Sequence, residues 1–258
     1  MDTAVFFEIH RFASVDSTNE AVKRAAAAGA PEGWLAVADE QTAGKGRRGR
    51  SWASPPGESL YFSFLLKPDL APALLPQVTI VAGLTVACAI RRELQLPALI
   101  KWPNDIVIGG KKVCGILTEA FSCGGGTAVV VGIGINVNTA AFPKELQDRA
   151  TSLFLERSGT GNAAPVDRDA LLMAVLAAYA EGYARFMEEG SLAKIREAYE
   201  ALMVSLGKQV RIEDPAGAYT AVCRGIGADG AMRIALPDGT EQMVSSGEIS
   251  VRGLYGYV

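Results

Sequence analysis

Histidine is almost missing from this chain: His10 is the only one in 258 residues. A Ser-His-Asp or Cys-His device would have to run through it. It sits in an N-terminal apolar run, where a structural role is the simpler reading. Cysteine is sparse as well. Cys88, Cys114, Cys123 and Cys223 are irregularly spaced, with no C-x-x-C pair. That argues against a structural zinc site and for reduced thiols. Positive charge is not in surplus: 25 Lys and Arg stand against 28 Asp and Glu, a net charge of −3. A general nucleic-acid binder is usually basic overall. Met1 to Val15 lacks a basic start and a long apolar core, so no signal peptide is expected. No window reads as long and apolar enough to span a bilayer. There is no internal repeat and no low-complexity tract. The expectation is a soluble cytoplasmic chain that touches no membrane. Hydrophobic residues make up 49%, enough for one large domain, or one large and one small.

The charge that is present is concentrated. Gly44-Lys45-Gly46-Arg47-Arg48-Gly49-Arg50-Ser51-Trp52 alternates glycines with four cations and closes on an indole. Glycine lets backbone N–H groups approach a ligand, and successive N–H groups can form an anion nest. Arginine's planar fork suits phosphate and carboxylate oxygens. The stretch fits G-x-G-x-x-G through Gly44, Gly46 and Gly49, but that fingerprint must open a helix. The following Ser54-Pro55-Pro56-Gly57 cannot continue one. A solvated basic loop and a loop closing over an anion remain open on this stretch alone.

Val5 to Phe12 has strand character, and Ala21 to Ala28 is alanine-rich and helical. Ser17 or Thr18 can cap that helix, or offer polar atoms to a ligand at its N-terminus. Trp34 to Asp39 reads as a buried strand that delivers Gln41 to the mouth of the loop. Ser59 to Leu66 reads as another strand and Gln77 to Leu94 as an apolar helix, its Gly83 suggesting close packing. Pro103 fixes the backbone within Lys101-Trp102-Pro103-Asn104-Asp105. Ile106 to Ile108, a Gly109-Gly110 turn and Lys111 to Phe121 form a hairpin pattern. Lys112 begins its second strand, where a lysine is usually solvated. Thr127 to Val131 runs into Gly132-Ile133-Gly134-Ile135-Asn136. The alternating glycines bare one face of that strand, for packing or for a flat ligand. Val166 to Met187 and Ser191 to Leu206 are amphipathic helices. From Gly207 five short strands follow: Val210 to Ile212, Tyr219 to Arg224, Met232 to Leu236, Glu241 to Val244 and Ile249 to Arg252.

Together these motifs resemble the biotin–protein ligase family. The resemblance rests on Asp16-Ser17-Thr18-Asn19, on Gln41 followed by Gly44 to Trp52, and on Lys101 to Asp105. It rests also on Lys112 to Leu117, on Gly132 to Asn138, and on the closing strand Ser246 to Arg252. It implies an α+β fold: a mixed β-sheet catalytic domain flanked by helices, of the class II synthetase-like biotin–lipoate ligase core, spanning 1–206. A small SH3-like β-barrel would span 207–258. The implied reaction has two steps. Biotin's carboxylate attacks the α-phosphate of ATP, giving biotinyl-5′-adenylate. A lysine of a biotin carboxyl carrier protein, as in acetyl-CoA carboxylase, then takes the biotinyl group.

The resemblance also implies roles. Arg47, Lys112 and Asp105 would be catalytic, Asp105 as a base for the incoming lysine. Biotin would meet Ser17, Thr18, Asn19, Gln41, Gly44, Lys45, Gly46, Arg47, Lys112, Gly115, Leu117, Gly132 and Gly134. ATP, brought with Mg²⁺ on its phosphates, would meet Arg47, Arg48, Arg50, Trp52, Asn104, Lys112, Asn136 and Arg252. No metal ligand is expected from the protein. The loop is expected to be mobile until ligand arrives, having no core contacts. Lys45 departs from the family, which often has arginine there; the charge stays and the fork is lost. Ser17-Thr18 starts too early for a preceding helix-turn-helix domain, so no DNA binding is expected. A homodimer is admitted, through exposed glycine-rich strands. The rivals are a lipoate–protein ligase-like enzyme and, from another class, a nucleic-acid-binding module.

Overall fold

The computed structural model describes residues 7–214, 217–246 and 250–253. Its main sheet has seven strands: β1 (Glu8–Val15), β2 (Trp34–Gln41), β3 (Leu60–Leu66), β4 (Leu99–Lys101), β5 (Asp105–Ile108), β6 (Lys111–Cys123) and β7 (Gly126–Ile135). Their order is β1-β2-β3-β7-β6-β5-β4. Only the β1–β2 pair is parallel, and α1 (Thr18–Ala27) makes the crossover that a parallel pair requires. The β5–β6 hairpin turns on Gly109 and Gly110, both at positive φ (56° and 79°), as a two-residue primed turn demands.

β3 is buried along its whole length because both faces of the sheet are covered. Leu60, Phe62, Phe64 and Leu66 face a large core under α2 (Gln77–Leu94), α4 (Arg168–Glu189) and α5 (Ala193–Leu202). The opposite face carries a small cluster in which Ala21, Val22 and Ala26 of α1 rest on Ala36, Leu65, Ala128 and Val130. Each large apolar side chain so buried contributes about 1.5–3 kcal/mol. α1 covers only part of its face. Beyond its N-terminus the sheet presents Gly132 and Gly134 of β7 opposite Leu117 and Gly115 of β6. That glycine patch is the floor of the site.

A second, five-stranded antiparallel sheet follows: β8 (Gln209–Asp214), β9 (Gly217–Ile226), β10 (Met232–Ala235), β11 (Glu241–Val244) and β12 (Ser250–Gly253), in the order β11-β10-β9-β8-β12. Among the described residues no ladder joins β11 to β12, so the expected barrel is seen as this open order. The second sheet is tied to the first part of the chain. Trp102 Nε1 donates to the Gly230 carbonyl at 2.9 Å, and Ile226 N donates to Glu200 at 2.8 Å.

Several expectations need correction. The first strand lies at Glu8–Val15, later than expected, because pairing with β2 sets its register; Val5 and Phe6 lie outside the described residues. α3 (Leu153–Gly159) and β4 were not foreseen. Pro72–Leu94 and Arg168–Glu189 are long and apolar enough to cross a membrane by length and composition, contrary to the reading above. Both pack on the large core, which explains their character without a membrane. The glycine strand is β7, which lies between β3 and β6 and so offers no free edge to a second copy.

Candidate active site

Ser17 starts α1 in extended geometry, yet its side chain makes no capping bond. Ser152 and Asp167, by contrast, do cap α3 and α4 with their side chains. Ser17 is 2% exposed and lines the cavity, so the capping reading of its hydroxyl is corrected. Thr18 is fixed by Gln41: its backbone N–H and its hydroxyl donate to Gln41 Oε1 at 2.8 and 3.1 Å. Gln41 Nε2 in turn donates to Ser54 Oγ at 2.9 Å. Asn19 is wired on both ends. Its Nδ2 reaches Glu119 Oε2 at 2.6 Å and the Leu117 carbonyl at 3.3 Å, while Ser63 Oγ donates to its Oδ1 at 2.6 Å. Ser63, Ser54 and Glu119 were not singled out from the sequence. Ser63 interrupts an otherwise apolar strand, which is the one signal that could have marked it.

The glycine-cation loop is a hairpin drawn back on itself, not a helix opening. Trp52 N donates to the Gly44 carbonyl at 2.9 Å and Gly46 N to the Arg50 carbonyl at 2.7 Å. A short turn, Arg47–Gly49, forms its tip, with Arg48 at φ 59°. Gly44 must be glycine, since a Cβ there would lie 2.5 Å from the Trp52 carbonyl oxygen. The hairpin does meet the sheet, contrary to the expectation of no such contact. The Trp52 indole lies on the bare floor, 2.8 Å from a Cβ built on Gly134 and 2.9 Å from one built on Gly115. The flat group on the glycine face is thus the chain's own. Its Nε1 is buried and has no partner among the described residues.

Arg47 turns inward. Its guanidinium donates to Asn104 Oδ1 at 2.9 Å and to the Ser246 carbonyl of the second sheet region. Burial holds its pKa below the ordinary arginine value, against the attraction of Asp105. Lys112 is 23% exposed and not solvated: its Nζ is 2.6 Å from Asp105 Oδ1 and 5.0 Å from the Trp52 ring centre. Asn104 Nδ2 donates to the Ile116 carbonyl at 2.9 Å, so its amide is a brace. Lys45 pairs outward with Glu20 at 2.6 Å. Arg48 and Arg50 are exposed at the hairpin tip.

Two cavities meet here. One, of about 50 Å³, is lined by Ser17, Thr18, Asn19, Gln41, Leu117 and the floor glycines, among others. The second, of about 160 Å³, includes Arg48, Arg50, Lys101, Trp102 and Asp105. Gly46, Arg47, Trp52, Asn104 and Lys112 line both, and so form the wall between them. Asn136 donates its Nδ2 to the Thr151 carbonyl at 3.0 Å, which commits it to holding that loop. Arg252 lies in β12 opposite Arg211, and its side chain is outside the described residues, as are Gly247 to Ile249. Among the described residues, no three His, Cys, Asp or Glu groups could together hold a metal. The arrangement sets two polar cavities end to end, with a guanidinium and an ammonium at the join.

Comparison with known proteins agrees with this layout. Residues 11–138 match the biotin/lipoate A/B protein ligase family, and residues 205–252 match the biotin protein ligase C terminal domain. The biotin--[acetyl-CoA-carboxylase] ligase of Paracoccus denitrificans is 32% identical over 248 residues, covering 93% of this chain and 99% of the relative. The bifunctional ligase/repressor BirA of Bacillus subtilis is 34% identical over 235 residues, covering 90% of this chain and 70% of its own. The biotin protein ligase from Aquifex aeolicus in complex with biotin and ATP superposes with a TM-score of 0.82 at 36% identity, covering 96% of this chain and 99% of that one. On the strength of these matches along both parts of its length, the chain belongs to the biotin protein ligase family.

Proposed function

We propose that the protein activates biotin with ATP and passes the biotinyl group to a lysine of a carrier protein, and that Arg47 and Lys112 stand where the two substrates react. One observation carries the residue assignment: these two cations line both cavities. A carboxylate and a triphosphate repel each other, so their reaction needs neutralisation and positioning more than an enzyme nucleophile. Biotin's ureido ring would enter the first cavity, where the Ser17 hydroxyl, the second Nε2 hydrogen of Gln41 and the backbone of Gly115 can meet it. ATP would take the second, with Arg48 and Arg50 toward its phosphates and Mg²⁺ travelling on the triphosphate. The carboxylate oxygen bonds to the α-phosphorus and pyrophosphate leaves. In the second step a carrier lysine's neutral amine attacks the acyl carbon and AMP leaves.

Asp105 holds Lys112 during the first step; in the second it is the carboxylate at the join able to take the amine's proton. Lys45 is paired with Glu20, so its share in biotin binding would come through its backbone. Trp52 must shift for the ligands to enter, because the two cavities fall short of the roughly 300 Å³ that a small-molecule site usually offers. We place the domain boundary near Leu206, just before β8, and the protein in a reducing cytoplasm that suits its free thiols. The acceptor would be the carrier domain of acetyl-CoA carboxylase or a related enzyme.

The test is biotin-dependent exchange of labelled pyrophosphate into ATP. Wild-type protein exchanges, and Arg47→Ala and Lys112→Gln each lower the rate about 100-fold or more while remaining folded. Exchange left near the wild-type rate in both variants would overturn the assignment.

A further inference from the structure

Lys45 and Glu20 belong to a longer chain of contacts that closes on itself. Glu20 Oε1 accepts from Lys45 Nζ at 2.6 Å and from Lys23 Nζ at 3.1 Å. Lys23 Nζ continues to Glu119 Oε1 at 2.7 Å, and Glu119 Oε2 accepts from Asn19 at 2.6 Å. From Asn19 the path runs through Ser63, Thr18 and Gln41 to Ser54. Ser54 Oγ donates to the Trp52 carbonyl at 3.1 Å, which returns the path to the hairpin. Both arms of the hairpin are therefore tied to the wall of the first cavity: the outgoing arm by an ion pair, the returning arm by the Gln41–Ser54 link. Along this path two ammonium and two carboxylate groups alternate and cancel. The Glu20 carboxyl is held below its ordinary range, chiefly by its hydrogen bond to Lys45.

We propose that Glu20 is a positioning residue that latches the glycine-cation hairpin shut through Lys45, and so sets how long the adenylate is retained. The proposal rests on the ligase reading for the word adenylate, and on the geometry alone for the latch. Glu20 sits on α1, three residues after Ser17, so what the Ser17–Asn19 turn meets is conveyed to the hairpin through one helical turn. Lys45 is half-exposed, so the pair has the strength of a surface ion pair. It modulates the hairpin and does not by itself hold it.

Two measurements test this on the full-length protein. The first is the rate of trypsin cleavage after Arg47, Arg48 and Arg50 in the absence of ligands, sites that every variant keeps. The second is the release of labelled biotinyl-adenylate from the enzyme that formed it. Glu20→Gln and Lys45→Gln each raise both rates about two- to five-fold. The double variant does no worse than either single one, because the two act as one unit. Lys45→Arg keeps the wild-type cleavage rate, and the exchanged pair Glu20→Lys with Lys45→Glu recovers most of it. Multiplicative effects in the double variant, or cleavage unchanged in Glu20→Gln, overturn the latch. Cleavage that follows the pair while release does not overturns the retention role. If wild-type protein forms no adenylate, the ligase reading fails, and the cleavage series still decides the latch.

Discussion

Gly132 has room for nothing larger than hydrogen: a Cβ built on it falls 1.9 Å from Asn19 Oδ1. Asn19 cannot step aside without releasing Glu119, Leu117 and Ser63 together. Gly132→Ala is therefore expected to cost about 1–3 kcal/mol, the usual range for overpacking. Gly159→Ala, with open space around it, is the control and should cost nothing measurable. Urea unfolding of the two variants against wild type decides the matter; equal midpoints would show that the wall is soft. The same residues show what a single sequence discloses. Arg47, Lys112 and the floor glycines were named as site residues through the family resemblance; position alone left Lys112 a solvated lysine and the glycines a packing face. Glu119, Ser54 and Glu20 were not, since a carboxylate or hydroxyl on a surface strand or helix looks ordinary until its distant partner is known.

The helical layer follows the same rule. α2 was read with the ends it has, Gln77 to Leu94, from a largely apolar stretch; the helix stops at Gln95 in the left-handed region, φ 56°. The contact that α2 makes was misplaced. Gly83 tolerates a Cβ at an ordinary 3.6 Å from Tyr199, whereas one on Gly182 of α4 would sit 2.5 Å from Thr85 Cγ2. Close approach of α2 and α4 thus depends on Gly182. Alanine is the better helix former by about 1 kcal/mol, yet Gly182→Ala is expected to destabilise by about 1–2 kcal/mol net. Adding Thr85→Ser removes the offending methyl and keeps the hydroxyl's bond to the Val81 carbonyl at 2.9 Å, so the double variant should recover most of the loss. A thermal melt of the single and double variants checks it. α3 and β4 escaped the sequence reading because they are short, seven and three residues, too few to show a period; β4 is made by pairing with β5, and α3 is started by the Ser152 cap.

At the scale of the whole molecule, the core sets a limit on alkaline stability. Burial raises the phenol of Tyr61 to about 12 and pushes those of Tyr179, Tyr183 and Tyr199 up as well. An unfolded chain ionises tyrosine near about pH 10. The folded state therefore holds more protons than the unfolded one above that pH. This contribution to stability is complete below about pH 10 and is lost as the pH rises toward 12. Phenolate absorbance and circular dichroism, followed together up the pH scale, should show these four rings ionising only as the fold is lost. Ionisation of all four with the helices intact would contradict their burial.

Arg47 also reaches across the chain, to a carbonyl 199 residues further on. The small second sheet region is therefore part of the site and no mere appendage: Asn104, from the first part of the chain, and Ser246, from the second, grip the same guanidinium from two sides. A substitution far along the sequence that shifts the backbone at Ser246 is expected to reach the innermost cation directly, with Asn104 left as its remaining acceptor.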